Sequence, residues 1–362
     1  MILNNRKSYP VLNHCIYVNT AAYGLLSDEL LEWRQNHDLD YLIGGSSLKI
    51  ESLGLISEAR EMVGKFFNCK RDLVALVPNF SLGLNILLEG LDSGEHILLL
   101  KNDYPSVNWP FESRGFEISY AKIDEKLENN ILEKVRTNAI TVLALSLVQW
   151  INGIRVDLGF LKSLKEEFPK LLIIADGTQF CGAFAMDFEN SGIDVLGASG
   201  YKWLLAGTGN GFMLFKESAK RRFTIKTTGF NSANAVLTAK STIPFNKHFE
   251  PGHLDSLNFG SLKCALGILN DMGMKEITAH NENLSKKANK GFDELGLLNK
   301  DVSHRNQHST IFNIKGGNVL FNHLIEENVV CSRRGEGIRL SFHYYNTDED
   351  IDSILEIIRK ML

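Results

Sequence analysis

The sequence predicts an α/β fold: a large, mostly parallel seven-stranded sheet flanked by helices, with a smaller C-terminal α+β domain behind it. Three observations carry this. Short apolar runs alternate with stretches of helical period between about residues 50 and 215, the pattern of parallel strands joined by crossover helices. Those runs are continuous in Leu, Ile and Val rather than alternating, as strands covered on both faces require. After about residue 255 the texture changes to long helical patterns and then short strands.

Taken in order, Ser52 to Phe67 places Leu53, Leu55, Ile56, Ala59, Met62, Val63 and Phe66 at i, i+3, i+4 spacing, one apolar helix face. Leu73 to Val77 reads as a strand, Leu82 to Leu91 as a helix and His96 to Leu100 as a strand. Phe116 to Tyr120, Ile140 to Ser146, Leu171 to Ala175, Asp194 to Ser199 and Gly211 to Phe215 complete seven strands. Leu257 to Met272 and Lys275 to Leu295 follow as helices, then strands at Thr310 to Ile314, Val329 to Arg333 and Ile338 to Ser341. A last helix, Asp348 to Met361, opens on the capping pattern Thr347-x-x-Asp350. The expected division is 15–255 for the large domain and 256–362 for the small one, with residues 1–14 packed against the latter. Absence of a Pro-rich linker implies domains packed together, with any ligand between them.

Composition narrows the function. At 362 residues, 44% hydrophobic and 23% charged, the chain is about two ordinary globular domains long. Its net charge is -4 and no basic run is dense enough to displace phosphate counterions, so nucleic acid is not the expected partner. Apolar stretches such as Ala139 to Trp150 fall short of the roughly 20 residues of a bilayer span, and the opening MILNNRKSYPVLNHC lacks the apolar core of a signal peptide. Five scattered cysteines (Cys15, Cys69, Cys181, Cys264, Cys331) show neither a disulfide framework nor zinc-ligand spacing. The expectation is a cytoplasmic protein without a structural metal.

Chemistry concentrates between Leu171 and Phe212, where one strand ends in Asp176 and another in Ser199-Gly200-Tyr201-Lys202. Carboxyl ends of strands border the ligand crevice of an open α/β sheet, so an acid, the Gln179 amide and a lysine converge there. Pyridoxal phosphate chemistry needs that set: an amine to hold the aldehyde as a Schiff base and a carboxylate to keep the ring nitrogen protonated. Taken singly, Asp176 reads as a turn cap and Lys202 as a strand-end lysine; their joint pattern points to the cofactor.

DGTQ followed by SGYKWLLAGTGNGFM resembles the signatures of class V aminotransferase-fold, fold-type I pyridoxal-phosphate enzymes, the group that holds cysteine desulfurases, selenocysteine lyases, kynureninase and isopenicillin-N epimerase. IYVNTAAYG (Ile16 to Gly24), PNFSLGLN, NDYPSVNW, FEPG and GIRLSFHYYNTDEDID are similar to further landmarks in the same order. The resemblance implies Lys202 as the Schiff-base lysine, Asp176 as partner of the ring nitrogen and Gln179 as donor to the ring hydroxyl. Ser81, with the amides of Asn79 and Phe80 at a helix start, would hold the phosphate together with Ser199, and Arg339 would fork onto the substrate carboxylate. Asn19 would also face the substrate.

Departures from the family pattern are informative. Tyr104 stands where desulfurases carry a ring-stacking histidine, and a phenol titrating near 10 is a poorer proton shuttle at neutral pH. Trp150 replaces an asparagine near the ring hydroxyl, Tyr201 replaces the histidine before the lysine, and His253 replaces a threonine that reaches the partner subunit's phosphate. Cys331 lies near Arg339 in a hairpin. A Gly335-Glu336 turn would pair Ser332 with Arg339 and point Cys331 to the other face, which argues against a persulfide carrier.

The expectation is therefore a homodimeric pyridoxal-phosphate enzyme acting on a small amino acid, an aminotransferase-like transferase or lyase. The alternatives are an epimerase or a cysteine or selenocysteine lyase without a persulfide. A nicotinamide enzyme binding phosphate through Gly207 to Gly211 is disfavoured because that string opens no βαβ unit. A non-catalytic binding protein is disfavoured by the retained Lys202, Asp176, Gln179 and Arg339.

Overall fold

The computed structural model describes residues 2–361 apart from 235 and 306. Its elements begin with β1 (Ile16–Tyr17), α1 (Asp28–Gly44), α2 (Leu48–Phe67), β2 (Val74–Val77), α3 (Phe80–Glu89), β3 (His96–Leu100), α4 (Pro105–Glu112) and β4 (Glu117–Ala121). There follow α5 (Leu127–Thr137), β5 (Val142–Ser146), α6 (Leu158–Glu167), β6 (Leu172–Asp176), β7 (Val195–Ser199), β8 (Gly211–Phe215), α7 (Ser256–Met272) and α8 (Met274–Glu294). The chain closes with α9 (Lys300–Ser303), β9 (Ile311–Ile314), α10 (Asn318–Glu326), β10 (Val329–Val330), β11 (Ser332–Arg334), β12 (Gly337–Ser341) and α11 (Asp348–Arg359).

Seven strands form one sheet in the order β2-β8-β7-β6-β5-β3-β4. Neighbours from β4 through β7 pair in parallel, whereas β8 runs antiparallel to both β7 and β2. Alternate strand residues feed two cores: Leu98, Leu100, Leu143 and Leu145 on one face, Ile97, Leu99, Val142 and Ala144 on the other. This two-sided burial is why the strands read as unbroken apolar runs. The helices of α2 and α7 cross the first face, and α3 and α4 cover the second.

A second, antiparallel sheet runs β11-β12-β9. Its hairpin turns at Gly335-Glu336 and pairs Ser332 with Arg339, the register the sequence implied. The strand expected from Val329 to Arg333 is broken at Cys331, because β10 leaves this sheet to pair in parallel with β1. Arg6 forks onto Asp350 at 2.8 Å and donates to the Tyr345 carbonyl, fixing the chain's start beside α11. The Thr347 and Asp350 capping box is present at the N-terminus of α11.

Two local differences from expectation have physical reasons. Leu53 belongs to the apolar face the spacing predicts, yet it is exposed: the N-terminal part of α2 projects beyond the core that buries Ala59, Val63 and Phe67. Helix α3 starts two residues before the expected Leu82, because Asn79 caps it through Oδ1, which accepts from the Leu82 N–H at 2.9 Å. Among the described residues, no helix is long and apolar enough to cross a membrane.

Candidate active site

A cavity of about 380 Å³ opens at the carboxyl ends of the parallel strands, where an open α/β sheet places its ligand crevice. The turn after β2 supplies Asn79, Phe80 and Ser81; the β3–α4 junction, Tyr104; β5 and its following segment, Ser146, Val148 and Trp150. The end of β6 supplies Asp176, Thr178 and Gln179, and the end of β7 supplies Ser199, Tyr201 and Lys202. Ten of the sequence-derived candidates, spread over 124 positions from Asn79 to Lys202, thus meet in one cavity.

Lys202 is 5% exposed and forms no ion pair among the described residues. Its Nζ sits 5.4 Å from the ring centroids of both Tyr104 and Tyr201. Burial pulls its amine down from the ordinary lysine range to about 8, partly opposed by the Asp176 charge and assisted by Arg339 and Arg334. Asp176 is 6% exposed; burial raises its carboxyl, against hydrogen bonds from Thr178 and the Lys202 charge. The Thr178 N–H donates to Asp176 Oδ1 at 2.8 Å, so the acid is held by its own turn.

Neighbouring contacts lock the frame. Gln179 Oε1 accepts from the indole of Trp203 at 2.7 Å, and its Nε2 donates to the Ala21 carbonyl at 3.0 Å. The Ser199 N–H donates to Thr178 Oγ1. The Phe80 amide, expected to face a phosphate, donates instead to Ser199 Oγ at 3.0 Å. Ser81 lies in the first turn of α3, where backbone N–H groups lack intrahelical acceptors and the helix dipole favours an anion. Gly24 presses on the lysine loop so closely that an added Cβ would lie 2.1 Å from the Lys202 carbonyl. Only glycine fits that approach.

Among the described residues, three polar side-chain atoms at or beside this site are buried without partners: Ser146 Oγ, Trp150 Nε1 and Arg339 Nε. Arg339 is 2% exposed, its Nη1 donates to the Trp150 carbonyl at 2.7 Å, and no carboxylate pairs with it among the described residues. Burial and the Arg334 charge pull its guanidinium down to about 10. An uncompensated buried cation is costly unless an anion arrives. The indole of Trp150 meets Tyr104 edge-on at 5.6 Å.

Besides Arg339, which contacts the cavity wall only through Trp150, three candidates stand apart from it. Asn19 Oδ1 accepts from Ser332 Oγ at 2.5 Å, beside the Arg339 hairpin. His253 is exposed and lines a separate cleft of about 960 Å³ with Leu53, Phe230 and Phe245. Cys331 is buried and its thiol is pushed up to about 12, a poor nucleophile. The glycine string from Gly207 to Gly211 is a turn with positive φ at Gly207 and Gly209 that leads into β8, and it opens no helix.

Residues missed in the sequence are Thr178, Ser146 and Asp103. Thr178 was readable only as part of DGTQ. Asp103 is buried behind Tyr104, accepting from the Tyr104 and Ser146 N–H groups at 2.7 Å each. Burial raises its carboxyl to about 6.

The profile of the aminotransferase class-V family matches residues 39–354. The chain belongs to that family. This class-V member is 21% identical over 398 residues to a probable cysteine desulfurase of Methanothermobacter thermautotrophicus, covering 98% of this chain and 97% of that one. Its fold matches an apo cysteine desulfurase from Thermococcus onnurineus with a TM-score of 0.87 at 20% identity, over 99% and 97% of the two chains. A C-DES mutant with glycine covalently linked to its PLP cofactor matches with a TM-score of 0.86 at 19% identity, over 97% and 98%.

Proposed function

We propose that this class-V family member is a pyridoxal-phosphate-dependent transferase or lyase acting on a small amino acid, with Lys202 as the residue that holds the cofactor. The carrying observation is that a buried, unpaired lysine and a buried carboxylate face one strand-end cavity beside a buried guanidinium without an anion. On this reading residues 15–255 form the cofactor-binding domain and 256–362 the smaller one, working in the cytoplasm.

The residues present fit the cofactor. Asp176 would face the ring nitrogen and Gln179 the ring hydroxyl. The Ser81 hydroxyl and first-turn amides, with Tyr201, would take the phosphate, while Ser199 acts by holding the Phe80 amide. Trp150 Nε1 is a free donor in the same wall. When bound, pyridoxal phosphate supplies an aldehyde that condenses with amines and a ring that accepts electrons.

This chain's own groups do the rest. Arg339, with Asn19 beside it, binds and orients the substrate carboxylate. Tyr104 covers the ring face, and Trp150 braces Tyr104 and excludes water. Lys202 Nζ, held near the range where an amine both accepts and releases protons at neutral pH, carries the proton at the substrate Cα. The inaccessible Cys331 thiol disfavours sulfur transfer through a persulfide, which leaves transamination or lyase chemistry ahead of epimerisation.

The enzyme works as a homodimer on this reading. Leu42, 79% exposed, Ile43, 84% exposed, and Ile50 leave apolar surface at the end of α1 and the start of α2, and Leu53 lines the cleft that holds His253, from which the imidazole would reach the partner's cofactor phosphate. An absorbance scan tests the core of the proposal. Wild-type protein given pyridoxal phosphate and then desalted should stay yellow and Lys202→Ala should emerge colourless; a colourless wild type sinks the proposal.

A further inference from the structure

The site holds more positive charge than one substrate carboxylate answers. The Asp176 charge holds the Lys202 proton, while Arg339 and Arg334 both repel it. The hairpin explains why Arg334 belongs to this set. Ser332 pairs with Arg339 and Arg334 pairs with Gly337, so strand alternation puts Ser332, Arg334, Gly337 and Arg339 on one face of the sheet. Arg334 and Arg339 are diagonal neighbours there, a spacing long side chains can bridge.

The hairpin tip lies beside Ile151, the residue after Trp150 of the cavity wall. An added Cβ at Gly335 would touch Ile151 at 3.7 Å, next to Trp150, whose carbonyl holds Arg339. Arg334 is exposed at the mouth, donates only to the neighbouring Arg333 carbonyl, and pairs with no carboxylate among the described residues, Glu336 at the turn included. Gly337 opposite it has no side chain, and the Asn313 amide that fills the space over Gly337 carries no charge. Arg339 is buried without an anion, whereas Arg334 beside it is hydrated and carries no carboxylate partner among the described residues, so both charges are open to an incoming dianion.

We infer that the substrate is an amino acid carrying a side-chain carboxylate, and that Arg334 reads this second anion while Arg339 takes the α-carboxylate. The inference rests on the roles proposed for Lys202 and Arg339 above. The cofactor phosphate would not answer the same charge, since the donors proposed for it lie at the start of α3 after β2, on a different element from the hairpin. Arg334 is a specificity residue on this account: it distinguishes substrates and takes no part in bond cleavage.

The test is a binding titration of protein loaded with pyridoxal phosphate, following the visible band as L-aspartate or L-alanine is added at low salt. Wild type should respond to aspartate at a concentration about 10-fold lower than to alanine, the scale of one charge-assisted contact. Arg334→Ala should abolish that preference, and Arg334→Glu should reverse it. Equal responses to both amino acids in wild type, or a preference that survives Arg334→Ala, would overturn the inference while leaving the proposed function standing. A wild type that takes up no cofactor overturns both.

Discussion

Lys202 can attack an aldehyde only when Nζ is neutral, and burial sets how often it is. With its amine at about 8, roughly one molecule in ten is neutral at pH 7; an ordinary lysine near 10.4 would offer about 4 in 10,000. Capture of pyridoxal phosphate should therefore outpace that of an exposed lysine by roughly 200-fold at pH 7. The sign follows from desolvation: the charged form is disfavoured, so raising the pH from 6 towards 8 should speed capture about tenfold per pH unit, with a plateau above. Asp176→Asn removes the charge that opposes this shift and should move the midpoint below that of wild type. The assay is rapid mixing of cofactor-free protein with pyridoxal phosphate from pH 6 to 10, following growth of the visible band. A rate still climbing tenfold per unit through pH 9 would show an ordinary amine and refute the reasoning.

Other consequences are open to direct measurement. Arg339→Met should weaken amino-acid binding to the loaded protein by roughly 100-fold, two charge-assisted bonds being lost, while the cofactor-free melting temperature holds or rises as an unpaired buried charge disappears; a large drop in melting temperature would contradict this. His343 and His308 are buried, and burial holds them down to about 3 and about 4. The unfolded chain binds more protons below about 6.5, so stability is full above that pH and lost as pH falls towards 4, by several kcal/mol in all. A melting temperature flat from pH 7 to 5 would count against it. Glu250 is fully buried and its Oε2 accepts from Arg60 Nη2 at 2.7 Å; Glu250→Gln should cost about 3–5 kcal/mol in denaturant unfolding because it strands the Arg60 charge.

Much of the fold was legible because burial leaves a mark on sequence. Runs such as Val142 to Leu145 and Leu171 to Ala175 are apolar at every position, and only a strand covered on both faces needs that. The direction of β8 left no such mark, since an antiparallel strand buried on both faces has the same composition as a parallel one. Helix α1 went unread because Leu39, Leu42 and Ile43 are exposed in the chain and form no buried stripe. The hairpin register was readable because a two-residue turn fixes all the pairs after it.

At the site, Lys202, Asp176 and Gln179 were legible from local strings that end strands. The partner of the Phe80 amide was not, because Ser199 is brought to it by the sheet from 119 positions away. Asp103 carried no signal beyond a turn acid in Asn-Asp-Tyr-Pro, and its role behind Tyr104 comes from the adjacency of β3 and β5.

The most direct measurement is chemical. Protein incubated with pyridoxal phosphate, reduced with borohydride and digested should yield one modified peptide, the one containing Lys202, by mass spectrometry. Modification spread over surface lysines, or absent from that peptide, would contradict the assignment of the site.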